Sequence, residues 1–396
     1  MRILIAAGEW FPDRKSGYAR VVTETARQLV QRGHEVTALV PSFEGAPFVV
    51  RDGTLTVRRQ LRRGRLPVTL TDVIDTRRHA RMLTASRFEL FVAHGPTNGY
   101  GLVTARLDAP LAFVYHASTR REARFARSRL PFGRERISLL ALDPLLTLYE
   151  RATIARAEKI LVLSDYSRRL VVGDHPPAAA KVRRVSGGVD TTAFSPGVQA
   201  ESRERLGIPA TRRLLLTVRR LESRMGIEEL LRALSRLRGT VHLAVVGEGT
   251  LASTLQRVAA ELELADRVRF TGLVGEAELV DWYRAADLFI LPTIAYEGFG
   301  LATAEALACG TPVVGTPIGA TPELLTPLDP RLVARTPDEE ALASAITTVL
   351  GFAGPELRAR CRRYACEQFS WDRVGAAWEH ALLEVAGDSE LRGSNR

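Results

Sequence analysis

The sequence predicts an α/β protein with two domains, each built on a doubly wound parallel sheet. The first observation is the length of 396 residues, because a single domain usually holds about 100–200 residues. The second is an alternation of short aliphatic runs with helical patterns along the whole chain, which is typical of parallel α/β units. The third is a Pro/Gly-rich junction at residues 192–197, which divides this alternation into two series.

The first series begins with a strand and a helix. Apolar residues at helical spacing predict a helix over residues 18–32, which Gly33 ends. An insertion at residues 48–70 predicts a hairpin that turns at Asp52-Gly53. The predicted strands of this series are residues 2–7, 34–40, 89–93, 111–115 and 159–163.

The second series predicts a domain over residues 198–370, after a first domain over residues 1–192, and an amphipathic segment over residues 371–396 follows it. Because ligands bind at the carboxyl ends of strands in open α/β sheets, both domains are expected to present loops to a cleft between them. The predicted strands are residues 213–218, 241–246, 268–271, 287–291 and 312–315, and the predicted helices are residues 226–238, 250–264, 276–286, 300–308, 338–350 and 354–368.

Composition excludes several classes of protein. With 46% hydrophobic and 25% charged residues, the chain does not fit a disordered or coiled-coil protein. No apolar run approaches the roughly 18 residues of a membrane span, and the apolar stretch before Glu9 is short for a secretory signal. Three cysteines offer neither a disulfide framework nor a zinc spacing, which predicts a cytoplasmic protein. Cys309 and four aromatic residues are predicted to be buried: Trp282, Tyr283, Trp371 and Trp378.

Charge is unevenly distributed along the chain. The net charge is +10, yet residues 1–190 carry 32 Lys and Arg against 18 Asp and Glu. Residues 58–65 and 120–136 concentrate the arginines with few aromatic neighbours, so no nucleic-acid partner is predicted. Three interpretations stay open for this basic half: a solvated surface, a contact with an anionic membrane at its inner face, or an acidic acceptor molecule.

One loop in the second half carries the most specific chemistry. The strand predicted at residues 287–291 leads to a loop with Glu297, Gly298 and Gly300, and the following helix carries Glu305. A glycine-flanked helix N-terminus presents unpaired amides and a positive dipole end, which suits a phosphate group. Carboxylates accept hydrogen bonds from paired hydroxyls. The pattern therefore indicates a ligand with a phosphate and sugar hydroxyls.

This segment resembles the E-x7-E signature of the family-4 retaining glycosyltransferases, which have the GT-B fold, and it continues into the A-x-G-x-P-V-V run of that family. Further resemblances cover nearly the whole chain. They are Phe270-Thr271-Gly272-Leu273 with the F-x-G loop, Val246-Gly247-Glu248-Gly249 with the G-x-G turn, and Ser186-Gly187-Gly188-Val189-Asp190 with Phe194-Ser195-Pro196, which resembles the N-G-V-D…F-x-P junction.

The resemblance implies a role for each matched residue of the second domain. Glu297 would contact hydroxyls of the transferred sugar, and Glu305 would bind the ribose hydroxyls. Arg220 matches the G-R-L arginine that binds the diphosphate. Met225 stands where the family usually has a lysine, so Arg224 is predicted to supply the second cation. The remaining donor contacts would come from Gly247, Gly272, Leu273, Gly298, Phe299, Gly300 and Leu301.

In the first domain the resemblance covers two positions that follow predicted strands. Gly17, in Ser16-Gly17, matches the second glycine of a loop that faces the phosphates and the acceptor. His116 matches the histidine that lines the catalytic centre. His94 also ends a predicted strand, and both a packing role and an acceptor contact stay open for it. The C-terminal helix is expected to pack back on the first domain, as it does in the family.

The sequence as a whole predicts a retaining glycosyltransferase that moves a hexose from a UDP- or GDP-sugar to an acceptor hydroxyl. The acceptor is open between a lipid, an oligosaccharide and a secondary metabolite. No D-x-D motif is present, so no metal site and no other cofactor are predicted. A nucleotide-sugar epimerase of the same fold and a non-catalytic nucleotide-sugar-binding protein are the alternatives.

Overall fold

The computed structural model describes residues 1–60, 68–83, 88–106, 108–129, 133–238 and 240–393. It divides into two compact units. Unit 1 comprises Met1–Ser186 together with Val374–Arg396, and unit 2 comprises Gly187–Arg373. Most of the first basic stretch, residues 61–65, and residues 130–132 of the second lie outside the described residues.

Unit 1 is built on an eight-stranded sheet with the strand order β3-β4-β2-β1-β5-β6-β7-β8. All neighbouring strands are parallel except β3 and β4, which form an antiparallel hairpin. The strands are β1 (Arg2–Ala7), β2 (Glu35–Pro41), β3 (Val49–Asp52), β4 (Leu55–Gln60), β5 (Leu90–His94), β6 (Leu111–Tyr115), β7 (Lys159–Val162) and β8 (Val182–Arg184).

Six helices of unit 1 follow or connect these strands. The first begins where the Ser16 hydroxyl accepts a hydrogen bond from the Ala19 amide at 3.0 Å, which is a normal N-cap. The helices are α1 (Gly17–Gln31), α2 (Val68–Met82), α3 (Pro96–Ala105), α4 (Thr119–Arg129), α5 (Arg134–Arg156) and α6 (Asp165–Asp174). The predicted hairpin turns where expected, but its predicted end at residue 70 is wrong, because α2 begins at Val68.

Unit 2 is built on a five-stranded sheet, all parallel, with the order β11-β10-β9-β12-β13. Its strands are β9 (Arg213–Val218), β10 (Val241–Val246), β11 (Val268–Gly272), β12 (Leu288–Leu291) and β13 (Val313–Gly315). Its helices are α7 (Gln199–Leu206), α8 (Ile227–Ser235), α9 (Ala252–Glu261), α10 (Glu276–Ala285), α11 (Leu301–Ala308), α12 (Thr321–Leu325), α13 (Glu339–Leu350) and α14 (Pro355–Phe369). The last helix of the chain is α15 (Trp371–Gly393).

The strand orders fix where each sheet changes direction. In unit 1 the chain starts at β1, builds outward through β2 and β4, and returns to place β5 on the other side of β1. In unit 2 it starts at β9, builds outward through β10 and β11, and returns to place β12 beside β9. Loops at such a switch point diverge and leave space for a ligand. Each unit therefore has one such place at the carboxyl ends of its central strands.

The cores are built as the sequence predicts. Every residue of β5 and β6 is buried, as expected of central parallel strands that are covered on both faces. The four aromatic residues predicted to be buried are 0–6% exposed, and Cys309 is 2% exposed, which confirms that prediction. Among the described residues, no helix has the length and apolar character to cross a bilayer.

The C-terminal helix α15 makes specific contacts inside unit 1. The indole Nε1 of Trp378, which is fully buried, donates to the Ser186 carbonyl at 3.0 Å. One carboxylate oxygen of Glu379 lies 2.9 Å from His34 Nε2. Unit 1 is thus formed from two parts of the chain that are separated by all of unit 2.

Candidate functional site

The loop that carries Glu297 begins at the carboxyl end of β12 and ends at α11. Its backbone is held in place by the loop that follows β13. The Ala320 amide donates to the Glu297 carbonyl at 2.8 Å. Gly319 has a φ of +68°, and a Cβ there would lie 2.3 Å from the Glu297 carbonyl oxygen. Only glycine fits this close approach, so the position of Glu297 depends on two neighbouring loops of unit 2.

The carboxylate of Glu297 is buried, and one of its oxygens accepts two hydrogen bonds. Arg219 Nη2 donates to its Oε2 at 2.7 Å, and the Thr293 hydroxyl donates to the same oxygen at 2.9 Å. Arg219 Nη1 in turn donates to the Thr293 hydroxyl oxygen at 2.6 Å. Burial alone would raise the pKa of Glu297, but the Arg219 and Arg224 guanidinium groups and the Thr293 hydroxyl together outweigh it and hold this pKa below its usual value. Glu297 is therefore an ionised carboxylate in a fixed orientation.

The arginine that meets Glu297 is a residue that the sequence did not single out. Arg219 follows the end of β9, next to β12 in the sheet, so it lies at the switch point of unit 2. The sequence instead singled out the next residue, Arg220, as a contact for a diphosphate. Arg220 is exposed, and among the described residues its side chain has no hydrogen bond or ion pair. Its predicted contact with a diphosphate stays a prediction.

Arg224 lies in the same region and forms hydrogen bonds with the backbone of the loop that carries Glu297. Its Nη1 donates to the Tyr296 carbonyl at 3.0 Å, while its own carbonyl accepts from the Ile294 amide at 3.0 Å. Arg224 thereby fixes the two residues that flank the turn before Glu297, and its charge contributes to the low pKa of that carboxyl after Arg219. Its predicted role as the second cation for a diphosphate is untested.

The second carboxylate of the motif, Glu305, lies in α11 and is 4% exposed. Its Oε2 accepts a hydrogen bond from the Tyr283 hydroxyl at 2.7 Å. Tyr283 is fully buried and packs edge-on against Phe194. The sequence predicted Tyr283 as a core residue, and the structure adds that its hydroxyl orients Glu305. The predicted contact of Glu305 with a ribose remains a prediction.

The glycines of the predicted donor site take backbone conformations that glycine favours. Gly247 has a φ of +133° and Gly272 a φ of +71°, and the Gly247 amide donates to the Gly272 carbonyl at 2.9 Å. Gly300, with a φ of +85°, is the residue before α11 begins at Leu301. These turns lie at the carboxyl ends of β10, β11 and β12 respectively.

The neighbours of these glycines differ in what they expose. The Leu273 side chain is 53% exposed, so it is open to a ligand. Phe299 is buried, and its ring lies 5.7 Å from the Phe369 ring in an edge-on arrangement. The Phe299 side chain is therefore part of the core, and only its backbone can serve as a ligand contact. Gly298 and Gly300 directly flank Phe299, and Leu301 is the first residue of α11.

The switch point of unit 1 holds two histidines and a tyrosine. His94 ends β5 and His116 follows β6, and His94 Nδ1 lies 2.9 Å from His116 Nε2. The Tyr18 ring lies 4.5 Å from the His116 ring, and its hydroxyl donates to the His94 carbonyl at 2.7 Å. Burial lowers the pKa of His116 to about 3, and burial with the neighbouring His116 lowers the pKa of His94 well below its usual value. Both rings are neutral near pH 7.

Gly17 is the first residue of α1. The residue before it, Ser16, caps the helix and donates its hydroxyl to the Glu9 carboxylate. Glu9 belongs to the loop that follows β1, the central strand of this sheet, so Gly17 faces the same switch point as His94. The described residues contain no group of three or more His, Cys, Asp and Glu side chains able to hold a metal ion.

Comparisons with known proteins agree with this architecture. A sequence profile described as "Glycosyl transferases group 1" matches residues 198–368. A second profile, described as "Glycosyltransferase Family 4", matches residues 15–193. The two profiles together cover most of both units.

A relative from Saccharomonospora viridis, named D-inositol 3-phosphate glycosyltransferase, is 30% identical over 393 residues, which is 92% of this chain and 87% of that protein. A protein of the same name from Mycobacterium tuberculosis is 32% identical over 262 residues, which is 63% of this chain and 54% of that one. The chain thus spans about half the length of the mycobacterial relative.

Two solved structures show the fold. Sucrose-phosphate synthase from Thermosynechococcus elongatus superposes with a TM-score of 0.83 at 20% identity and covers 98% of this chain and 100% of that one. WaaG, a glycosyltransferase involved in lipopolysaccharide biosynthesis, superposes with a TM-score of 0.76 at 18% identity and covers 96% and 99%. The fold is that of the GT-B glycosyltransferases, as the sequence predicted. The chain belongs to glycosyltransferase family 4, and it is therefore an enzyme of the glycosyltransferase class.

Proposed function

We propose that this enzyme transfers a hexose from a nucleotide-diphospho-sugar to an acceptor hydroxyl with retention of anomeric configuration. The observation that carries the proposal is the ion pair between Glu297 and Arg219 at the switch point of unit 2. A fixed, ionised carboxylate suits sugar hydroxyls, and the helix start at Leu301 suits a phosphate. Glu297 lies in the loop that leads directly into this helix start.

Two structural neighbours support the donor class. HepE from Anabaena is described in complex with UDP and glucose, at a TM-score of 0.75 and 18% identity over 97% of this chain and 100% of that one. The catalytic domain of starch synthase IV from Arabidopsis thaliana is described as bound to ADP and acarbose. A screen of donors therefore starts with UDP-, GDP- and ADP-sugars.

The state of Glu297 favours attack on the same face that the diphosphate leaves. A carboxylate whose charge is paired with Arg219 is a weaker nucleophile than a free carboxylate. In the proposed step, the acceptor oxygen bonds to the anomeric carbon as the bond from that carbon to the phosphate oxygen breaks. The acceptor proton passes to the departing diphosphate. The protein contributes position and charge.

We propose that cationic side chains and a helix dipole stabilise the departing diphosphate, and that no metal ion or other cofactor is required. Arg220 is exposed and offers its guanidinium to a phosphate, and Arg219 supplies a second positive charge beside Glu297. The N-terminus of α11 adds the partial positive charge of its first amides. The role of Arg224 as the second cation stays a prediction.

His116 is proposed to contact the transferred sugar as a neutral hydrogen-bonding group. Burial lowers its pKa to about 3, so near neutral pH it is a neutral imidazole with one N–H and does not act as a general acid. Its Nε2 is engaged with His94 Nδ1 at 2.9 Å, which orients the ring.

A cytoplasmic location and a contact of the basic half with an anionic membrane stay predictions.

The first test is turnover with defined substrates. Purified enzyme is incubated with UDP-, GDP- or ADP-glucose and with D-inositol 3-phosphate, which the names of the relatives suggest as an acceptor. The release of nucleoside diphosphate and the anomeric configuration of the product are measured, with and without EDTA. We expect acceptor-dependent release, an α-linked product from an α-linked donor, and no effect of EDTA.

A matched pair of variants tests whether the site is the one described. Glu297→Gln removes the negative charge at the Arg219 pair, and we expect turnover to fall by about 100-fold. Glu367→Gln makes the same change at an exposed position of α14 and should leave turnover unchanged. Conversion of the donor sugar without release of diphosphate would indicate an epimerase, and tight donor binding without turnover for any tested acceptor would indicate a binding protein. A product of inverted configuration would overturn retention.

A further inference from the structure

A second site lies in unit 1, between α4 and α5. The two helices form a pocket of about 490 Å³. Three arginines line it, Arg120 and Arg124 from α4 and Arg151 from α5, together with Asp143 and Thr147. Nothing in the chemistry derived above uses these side chains, and their charges are arranged around a common space.

Two buried polar atoms of this pocket have no partner. Arg120 Nε and Asp143 Oδ1 are both inaccessible to solvent, and neither has a hydrogen bond in the part of the chain that the structure describes. The other oxygen of Asp143 accepts from Arg124 Nε and Nη2, each at 3.0 Å. Since an unpaired buried donor or acceptor costs about 1–3 kcal/mol, this pair of atoms points to a ligand that satisfies both.

The arginines of the pocket are incompletely neutralised. The nearest carboxylate to Arg120 is Asp174, at 3.7 Å, but Asp174 is already engaged by Arg121, whose Nε donates to it at 2.7 Å. This hydrogen bond from Arg121 is the main cause that lowers the pKa of Asp174. Arg151 is exposed and makes no ion pair or hydrogen bond with any described residue.

The charge balance indicates the class of ligand. Three guanidinium groups face one carboxylate, Asp143, in the pocket, which leaves an excess of two positive charges. A phosphate monoester carries about −1.5 to −2 charges at pH 7, and guanidinium groups match its oxygens well. A hydroxyl hydrogen is the natural partner for the unpaired Asp143 Oδ1. The apolar surfaces of Pro144 and Leu148 also line the pocket and suit a carbon ring.

The pocket lies close in sequence to the histidine at the switch point. Arg120 follows His116 by four residues, and a chain of that length spans at most about 14 Å. Arg120 therefore lies near the start of α4, close to the carboxyl edge of the sheet that His116 follows.

We propose that the α4–α5 pocket binds the phosphate group of the acceptor, which is a polyol that carries a phosphate monoester. Arg120, Arg124 and Arg151 hold the phosphate, and Asp143 accepts a hydrogen bond from a hydroxyl. This inference rests on the proposed function, because it makes the ligand of the pocket the acceptor of the transfer. The same chemistry occurs in a free polyol phosphate and in a phosphorylated lipid headgroup.

The test is equilibrium binding to the full chain. D-inositol 3-phosphate and unphosphorylated myo-inositol are titrated into the enzyme by calorimetry at two salt concentrations. Vesicles that contain phosphatidylinositol 3-phosphate are compared with neutral vesicles by flotation. We expect the soluble ester to bind at least tenfold more tightly than myo-inositol, and higher salt to weaken its binding. Flotation only with the phosphorylated lipid would support the same pocket chemistry with a lipid as its source.

Variants assign the binding to the pocket. Arg124→Gln and Arg151→Gln change exposed side chains, so both should fold, and each is expected to weaken binding of the ester by about tenfold. Arg78→Gln removes the same charge from an exposed position of α2 and should bind like the wild type. Equal binding of ester and myo-inositol, or unchanged binding in both pocket variants, would overturn the proposal.

Donor experiments separate this inference from the proposed function. Thermal stabilisation by the nucleotide-sugar and slow hydrolysis of that donor should be the same in the wild type and in Arg151→Gln, because the pocket lies in unit 1 and the donor residues lie in unit 2. If the ester binds as expected but no donor is ever cleaved, the proposed function fails while the pocket stands. If donors are cleaved but pocket variants behave like the wild type, only the pocket fails.

Discussion

Arg219 and Met225 form a pair of departures from the family pattern that compensate each other. Arg219 stands at the glycine of the G-R-L motif, and Met225 stands at the position of the usual lysine. Arg219 Nη2 lies 3.0 Å from Met225 Sδ, so the guanidinium occupies space beside the site of the missing lysine. A positive charge is thus present near Glu297 although the usual residue is absent.

An exchange of these two residues tests the compensation. Arg219→Gly leaves the buried Glu297 carboxylate without its partner, which typically costs about 3–5 kcal/mol, and we expect kcat/KM for the donor to fall by about 100-fold. Met225→Lys alone brings a second cation beside Arg219 and should also reduce it. The double variant R219G/M225K removes that repulsion and restores a cation, so it should regain at least tenfold over Arg219→Gly. A double variant no better than Arg219→Gly contradicts the idea, and Met225→Leu serves as the control for side-chain volume.

Some residues of the site could be predicted from the sequence and others could not. The motif identified Glu297 and Glu305, and the structure places Glu297 in the loop that follows β12 and Glu305 in α11. It did not identify Arg219, because adjacent residues at a strand end point to opposite sides and the motif assigned the contact to Arg220. Thr293 was not predicted either, because its role depends on the hydrogen bond that its hydroxyl donates to Glu297 at 2.9 Å, and no motif marks that contact.

At the scale of elements, the strands were easier to predict than the helices. Each strand of unit 2 begins and ends within about one residue of its predicted position, because buried parallel strands are continuous apolar runs. Helix ends were less accurate. The helix predicted over residues 226–238 is observed as Ile227–Ser235. The spacing of its apolar residues does not show at which residue the helix ends.

The helices α4 and α5 were not predicted individually, for a physical reason. In α4 arginines recur with few apolar residues between them, so no apolar stripe at helical spacing is present. In α5 a proline at position 144 interrupts the pattern inside a helix of 23 residues. The pocket between these two helices could therefore not be predicted from the sequence, which showed only an excess of basic residues there.

The turn that leads into α8 gives a prediction at this scale. Gly226 has a φ of +71°, and a Cβ there would lie 1.7 Å from the Pro292 carbonyl oxygen. Gly207 has nearly the same backbone, with a φ of +67°, and has nothing within 4 Å of its Cβ position. Gly207→Ala should cost only the strain of a left-handed residue, roughly 1–2 kcal/mol, whereas Gly226→Ala also forces β12 and the turn apart and should cost at least twice as much. Denaturant titration of both variants measures the difference, and equal losses would contradict it.

At the scale of the whole molecule, the two sheets repeat one topological plan. In each unit the chain returns across the central strand, and the polar groups predicted for function lie beside that strand: His94 in unit 1, and Glu297 in unit 2. The rule that ligands bind at the carboxyl ends of such strands predicted this coincidence from strand order alone. Which residues form hydrogen-bonded pairs at these places could be learned only from the structure.

Trp378 tests how far unit 1 depends on the C-terminal helix. Its side chain is fully buried and hydrogen-bonded to Ser186, so Trp378→Ala should lower the stability of unit 1 by about 3–5 kcal/mol. Scanning calorimetry should show an earlier transition for unit 1 and an unchanged one for unit 2. Leu383→Ala on the same helix changes a side chain that is 41% exposed, and it should have little effect. An unchanged transition for unit 1 in Trp378→Ala would contradict its dependence on α15.

The split of unit 1 across the chain has a consequence for biosynthesis. A ribosome makes residues 1–186 first, yet the segment from Val374 onward that completes their core is made only after the whole of unit 2. Since domains that form during translation generally fold as soon as their residues emerge, unit 2 can finish folding while the nascent N-terminal part still exposes the surface that Trp378 will cover. That apolar surface stays uncovered until the last helix leaves the exit tunnel.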